Sequence, residues 1–269
     1  MPEGDTLART ARTLERWLAG RTVTDAGGTA LARAAPALVG LGVAGVESRG
    51  KHLLVHLAGR HRVVVHTHLG MPGSWHVYRA GEPWRRAPAA ARVVLGCGER
   101  LAVCFNAPVV ELVEPASLAV HPVLGRLGPD LAAAGPDVAE AVRRARTLPA
   151  ATPLGDVLLD QRVAAGIGNI WRCEALHARG WDPARPAGDL DDDELAALFA
   201  TAGSLLRAST EGTGDGVVGR PRARVYGRAG RACGRCGGPV RARRQGRHAR
   251  TTYWCPACQP PRPAPEGGG

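Results

Sequence analysis

The stretch GVAGVESRGKHLLVHLAGRHRVVVHTHL, residues 42–69, decides how the first half of this chain folds. Apolar and polar side chains alternate in short runs, broken by turn residues at Gly50 and Ala58-Gly59. A period of two belongs to strands with one face in a core and the other toward water. The pattern continues to about Glu114, with further turn signals at Ala80-Gly81 and Cys97-Gly98-Glu99. It predicts strands over 42–48, 51–57, 62–69, 74–79, 92–95, 101–105 and 109–114. Strands this short and closely spaced imply an antiparallel sandwich or barrel.

Upstream, residues 21–45 are weakly patterned, but Leu7, Ala11, Leu14, Trp17 and Leu18 repeat at helical spacing. Asp5 is the expected cap of that helix and Gly20 its stop. The helix would cover one side or end of the sheets. It also starts beside Met1-Pro2-Glu3-Gly4. Removal of Met1, favoured by the small side chain that follows, leaves Pro2 with a free secondary amine and the Glu3 carboxylate next to it. Such an amine condenses with a sugar aldehyde carbon to an iminium, an electron sink that acidifies the neighbouring C–H. The positive end of the helix disfavours protonation of the amine and raises its reactive fraction. Taken alone, Met-Pro-Glu is an ordinary way for a chain to begin.

The 269 residues suffice for two domains. Lys and Arg number 35 against 24 Asp and Glu, giving a pI near 10.3. That balance points to a polyanion, nucleic acid before membrane surface, because no basic amphipathic helix stands out. No run is long enough to cross a membrane and no secretory signal is evident, so a cytoplasmic, nucleoid-associated protein is expected. Every Lys or Arg is arginine except Lys51. A GC-rich genome accounts for the arginines. The single lysine marks a place for a compact charge that can move a proton, or else an edge-strand lysine facing water. It sits where a turn becomes a strand and is placed to share a cleft with Pro2. His66 and His68 share one strand face; with no third ligand motif nearby, polar packing is preferred over a metal. In the loop 69–73, Met71 either wedges into a base stack or packs inward.

Residues 115–129 read as a linker, followed by helical patterns over 137–146, 153–161, 169–178 and 191–206. The last has Asp191, Asp192 and Asp193 at its positive end and a stripe of Leu195, Leu198, Phe199, Ala202, Leu205 and Leu206. Ala165-Gly166-Ile167-Gly168-Asn169 is a glycine turn feeding a helix. Its amides can approach a phosphate, and an ordinary capped turn fits equally well. Residues 211–224 are expected to form a mobile loop, and the tail from Pro260 to be disordered. Cys233-x2-Cys236 and Cys255-x2-Cys258, eighteen residues apart, fit a ribbon of four thiolates on one structural Zn2+. Zinc is preferred to disulfides or a redox pair. Cys97, Cys104 and Cys173 read as buried thiols. Residues 220–250 hold eleven arginines and no acidic residue, and Arg250 falls near the tip of the hairpin closing at Cys255. So basic a hairpin reads as laid against phosphates, although a solvated face is the usual fate of a charge run.

Together these stretches resemble the formamidopyrimidine-DNA glycosylase and endonuclease VIII family of base-excision repair enzymes, from Met1 to about Gln259. The resemblance rests on Met1-Pro2-Glu3-Gly4, Ser48-Arg49-Gly50-Lys51, Leu159-Asp160-Gln161 with Gly166-Ile167-Gly168-Asn169, and the ribbon ending Tyr253-Trp254-Cys255-Pro256-Ala257-Cys258-Gln259. It implies an α+β protein: an N-terminal β-sandwich with a terminal helix, a helix–two-turns–helix domain with a zinc finger, and damaged DNA in the cleft between. The implied boundaries are 1–115 for the catalytic domain, 116–129 for the linker and 130–210 for the helical domain. A loop at 211–224, a finger at 225–259 and a tail at 260–269 complete them. Pro2 would be the Schiff-base nucleophile and Glu3 the proton donor. Lys51 would serve β-elimination or hold the adjacent phosphate, and Arg250 would serve δ-elimination. Asn169 and Arg126 would bind phosphates, and the damaged nucleotide would be flipped out of the stack.

Met1-Pro2-Glu3-Gly4, and the absence of a Pro-Arg-Arg-Phe-type loop at 104–109, are closer to the endonuclease VIII branch and imply oxidised pyrimidines as substrates. Gly70 departs from that branch, which carries glutamine there, and Met71 is like the other branch. The expectation is a monomeric bifunctional glycosylase and abasic-site lyase. The alternatives are a non-catalytic zinc-ribbon binder, or a lyase with little base excision.

Overall fold

The computed structural model describes residues 2–211, 223–246 and 249–261. The expected mobile loop over 211–224 and disordered tail from 260 lie, for 212–222 and 262–269, outside the described residues, as does Met1. The chain divides into two compact units, Met1–Arg126 and Leu127–Gly269. No helix among the described residues is long and apolar enough to cross a membrane.

The first unit begins with helix α1, Gly4–Leu18. Its buried Leu7, Ala11, Leu14 and Leu18 form one stripe, as the sequence spacing requires. The cap is Glu3 rather than Asp5: the Glu3 carbonyl accepts from the N–H groups of Thr6 and Leu7, while Asp5 is buried in the first turn and pairs with Arg9. Residues 21–45, unassigned by pattern, supply the short strand β1, Asp25–Gly27, and the short helix α2, Ala35–Leu38. Three residues of strand are too few to show a period.

Two four-stranded antiparallel sheets follow. One runs in the order β2 (Gly42–Arg49), β3 (His52–Ala58), β4 (Arg62–His68), β8 (Val109–Val113). The other runs β1, β6 (Ala91–Cys97), β7 (Arg100–Phe105), β5 (Ser74–Arg79). Leu53, Val55, Leu57 and Val65 from the first sheet share one core with Trp75, Val93, Leu95 and Cys104 from the second and the stripe of α1. Trp75 Nε1–H donates to Thr67 Oγ1 at 3.1 Å, a hydrogen bond from sheet to sheet through the sandwich. The opposite parity of β3 and β4 puts His52, His56, His66 and His68 on the outer face of the first sheet.

The second unit packs α3 (Val138–Arg146), α4 (Leu154–Val157), α5 (Asn169–Arg179) and α6 (Asp192–Glu211) around Leu131, Ile167, Trp171, Leu198 and Phe199. α4 is much shorter than the 153–161 pattern; turns continue to Asp160, whose carboxylate accepts from Arg162 N at 2.9 Å. α6 opens on a reciprocal cap in which Asp191 Oδ1 accepts from Glu194 N and Glu194 Oε2 accepts from Asp191 N. The hairpin β9 (Arg241–Gln245) and β10 (Arg250–Trp254) carries the basic run, and its Cys255 and Val240 pack with Cys173 of α5.

Candidate functional site

Pro2 is half-buried and extends directly from α1, while Glu3 is 1 % exposed. The stripe of α1 is fully seated in the core, so the first two described residues are held rather than frayed. Lys51 lies in the turn joining β2 to β3, not in the strand expected from its pattern. Arg49 pairs with His52 across it, and Gly50 at φ +57 supplies the backbone shape that this tight connection requires. Met71 is 72 % exposed in the turn after β4, which excludes inward packing. Arg126 ends the first unit, exposed, in a short 3-10 turn.

Beside Lys51 the outer face of the first sheet holds an ordered chain of imidazoles that sequence reading only touched. The N–H groups of Val123 and Leu124 donate to His121 Nδ1 at 3.2 and 3.1 Å. The His121 proton therefore sits on Nε2, which donates to Glu111 Oε2 at 3.1 Å. His66 Nδ1–H donates to the same oxygen at 2.8 Å, leaving His66 Nε2 to accept from His52 Nδ1–H at 2.9 Å. His66, Glu111 and His121 are close enough together to be ligands of one metal ion. Their hydrogen bonds oppose it, since a metal would need the Nε2 lone pair that the two backbone donors reserve for a proton. Polar packing, the preferred reading of His66 and His68, accounts for the cluster. Burial, with like charge from His68, His66, His121 and Lys51, pushes His52 down to about 3. Burial lowers His66 and His68 as well.

In the second unit the glycine turn before α5 is braced by Gln161. Its Nε2 donates to Leu159 O and Ile167 O, and its Oε1 accepts from Gly166 N at 3.1 Å. Asn169 is the first residue of α5, and its Nδ2 donates to Thr251 O at 2.8 Å. Arg250 opens β10, directly after Ala249 at φ +44. Asn169 and Arg250 line one open pocket of about 450 Å3 with Tyr226, Ala249, Thr251 and Tyr253. Glu174, missed in the sequence, turns its carboxylate to the N–H groups of Arg224, Val225 and Tyr226 at 2.9–3.1 Å and ties the start of the ribbon to α5.

Cys233, Cys236, Cys255 and Cys258 converge, none in a disulfide. Cys233 and Cys258 sulfurs lie 3.9 Å apart, and those of Cys236 and Cys255 lie 3.5 Å apart. Thiolates tetrahedral about a zinc at its usual bond length stand about 3.8 Å apart, so the donor set fits a metal site. Burial opposes ionisation of Cys233, but the N–H groups of Arg235 and Cys236, with His177, outweigh it and bring the thiol down to about 6. His177 Nε2 stands 3.3 Å from that sulfur.

A Pro2 held at the start of a core-seated helix, a basic hairpin on a four-cysteine cluster and an open pocket at a helix start are the features expected of a nucleic-acid-processing protein. Residues 1–108 match the formamidopyrimidine-DNA glycosylase N-terminal domain, and residues 127–219 the formamidopyrimidine-DNA glycosylase H2TH domain. The chain is 41 % identical to "Probable endonuclease 8 2" of Streptomyces coelicolor over 275 aligned residues, covering 100 % of this chain and 97 % of that one. It is 36 % identical to "DNA-(apurinic or apyrimidinic site) lyase Nei2" of Mycolicibacterium smegmatis, covering 96 % and 99 %. The fold matches the crystal structure of Lactococcus lactis formamidopyrimidine-DNA glycosylase bound to DNA containing an AP site. The TM-score is 0.82 at 20 % identity, covering 96 % of this chain and 100 % of that one. The chain belongs to the formamidopyrimidine-DNA glycosylase/endonuclease VIII family. It is a DNA glycosylase and abasic-site lyase of base-excision repair.

The lowered imidazoles set a pH dependence. Unfolded His52 takes up a proton below its ordinary 6.5, while folded His52 does so only near 3. Its contribution to stability is therefore complete above about pH 6.5 and is lost as the pH falls toward 3. His52→Gln is expected to flatten the fall in melting temperature between about pH 6.5 and pH 5, above the range where carboxylates titrate. An unchanged slope would show that His52 is not the group responsible.

Proposed function

We propose that this chain excises oxidised bases, pyrimidines foremost, through a covalent bond from Pro2, and then cuts the strand on both sides of the abasic sugar. The observation that carries the reading is the accessible Pro2 next to the buried Glu3 at the start of a helix seated in the core. With Met1 removed, the Pro2 nitrogen attacks C1′ as the bond to the damaged base breaks, and the base leaves with the proton that the attacking amine loses. The Glu3 carboxyl supplies the proton that opens the sugar, and an iminium forms between Pro2 and C1′. Loss of the C2′ proton then expels the 3′ phosphate, and a second elimination expels the 5′ phosphate. Lys51 serves the first elimination by moving a proton or holding the phosphate beside it. Arg250 serves the second, and cations where charge develops lower both barriers. Water hydrolyses the remaining imine.

Asn169 and Arg126 hold phosphates, and the exposed Met71 wedges into the stack that the flipped nucleotide leaves. One Zn2+ on Cys233, Cys236, Cys255 and Cys258 fixes the ribbon that presents Arg250. The protein acts on damaged DNA as a monomer in the cytoplasm, at the nucleoid. The pyrimidine preference is supported by the endonuclease VIII-like start of the chain and by relatives named endonuclease 8. A second reading, abasic-site lyase with little base excision, is favoured by the name of the Mycolicibacterium relative, DNA-(apurinic or apyrimidinic site) lyase Nei2. Duplexes carrying thymine glycol, dihydrouracil, 8-oxoguanine or an abasic site separate the two.

Borohydride added during reaction with thymine-glycol duplex is expected to join protein and DNA covalently. Pro2→Gly is expected to abolish the adduct, and Glu3→Gln to lower base release at least a hundredfold, a general-acid-sized effect, with DNA binding retained. Either variant excising normally would overturn these roles. Cys255→Ser is expected to lose the zinc, about one equivalent per chain by elemental analysis, together with DNA affinity. Undiminished binding by metal-free protein would remove the ribbon from the DNA interface.

A further inference from the structure

We infer that Arg172 is a positioning residue for the phosphate pocket of the second unit, holding the Asn169 carboxamide against β10 and placing a buried positive charge behind it. The inference rests on the functional reading above.

Arg172 is 0 % exposed, although Arg is a residue type rarely fully buried without a partner. It stands three residues after Asn169 on α5, and helical side chains lean toward the N-terminus, so its guanidinium returns to the start of the helix. There Nη2 donates to Asn169 Oδ1 and, at 2.6 Å, to Thr252 Oγ1. With its oxygen engaged, the Asn169 carboxamide can turn only its NH2 outward, and that group donates to Thr251 O. One guanidinium thus closes a ring through the first residue of α5 and two consecutive residues of β10. Asn169, Arg250 and Thr251, all within this ring or next to it, line the pocket.

The charge of Arg172 is poorly compensated. Nε and Nη1 find no hydrogen-bond partner among the described residues. Asp156 Oδ1 stands 4.0 Å from Nη1, beyond hydrogen-bond length. Burial raises the Asp156 carboxyl, against the pull of Arg172, so that counterion is itself weakened. Arg250 adds a second positive charge within electrostatic reach. A buried cation short of partners beside a like charge weakens a fold unless an anion completes the site. A DNA phosphate in the pocket supplies that anion.

The test is a double-mutant cycle on the full chain, read by fluorescence anisotropy with a duplex carrying a tetrahydrofuran abasic analogue over a range of salt. Arg172→Met is expected to weaken binding about tenfold and to lower the slope of log affinity on log salt by about one. Asn169→Ala is expected to weaken it similarly, and the double variant to be no worse than the weaker single one. Losses that multiply, or native affinity in Arg172→Met, would overturn the inference. If Arg172→Met does not fold, Arg172→Lys carries the test: it keeps the charge without the fork, so affinity should drop while the salt slope stays. Native affinity in Arg172→Lys would overturn the inference equally. A native protein with no preference for the abasic duplex would instead overturn the functional reading on which it rests.

Discussion

Residues near a chain end normally fray, yet Glu3 to Leu18 of this protein are pinned by burial. Leu7, Leu14 and Leu18 of α1 are fully inside the sandwich core, and Asp5 and Glu3 are buried with them. Pulling Pro2 away would mean withdrawing the first helix from both sheets. At about 1.5–3 kcal/mol for each fully buried leucine, that displacement costs far more than thermal energy supplies. A nucleophile carried on a terminal nitrogen needs that restraint, because nucleophilic attack depends on a held approach geometry. On the proposed mechanism, the burial of one helix face is the physical source of a catalytic property.

The second unit applies the same economy to the pocket proposed to hold a phosphate. Gln161 braces the glycine turn, Glu174 ties down the ribbon's first residues, and Arg172 closes α5 onto β10. None of these three side chains is on the pocket wall, and each acts through backbone or through Asn169. The ribbon's four sulfurs are spaced to suit tetrahedral coordination. The exposed arginines of the hairpin then need little individual precision, since long-range attraction to a polyanion does not require it.

What the sequence made legible follows the reach of each signal. Period-two runs gave the longer strands, and the stripe of α6 gave that helix, because burial on one face writes itself into spacing. Cys-x2-Cys pairs gave the ribbon for a different reason, since two sulfurs that must converge on one site fix their own spacing. β1 was invisible because a strand of its length carries no period. The cap of α1 went to Asp5 by residue preference, whereas the chain caps through the Glu3 backbone and buries Asp5 instead. Lys51 moved from strand to turn because Gly50-Lys51 is the whole connection. His66 was noticed, but its partners His52, Glu111 and His121 lie 14, 45 and 55 positions away, and they meet only through strand pairing and, for His121, the turns that follow β8. Arg172 gave no signal at all: an arginine in an arginine-rich chain is unremarked until its burial is seen.

The account stands on a processed imino terminus, and intact-mass spectrometry of fully active protein reads that terminus directly. The mass is expected to lack the initiating methionine, with Pro2 as the first residue. Full activity in a preparation that retains Met1 would contradict the account.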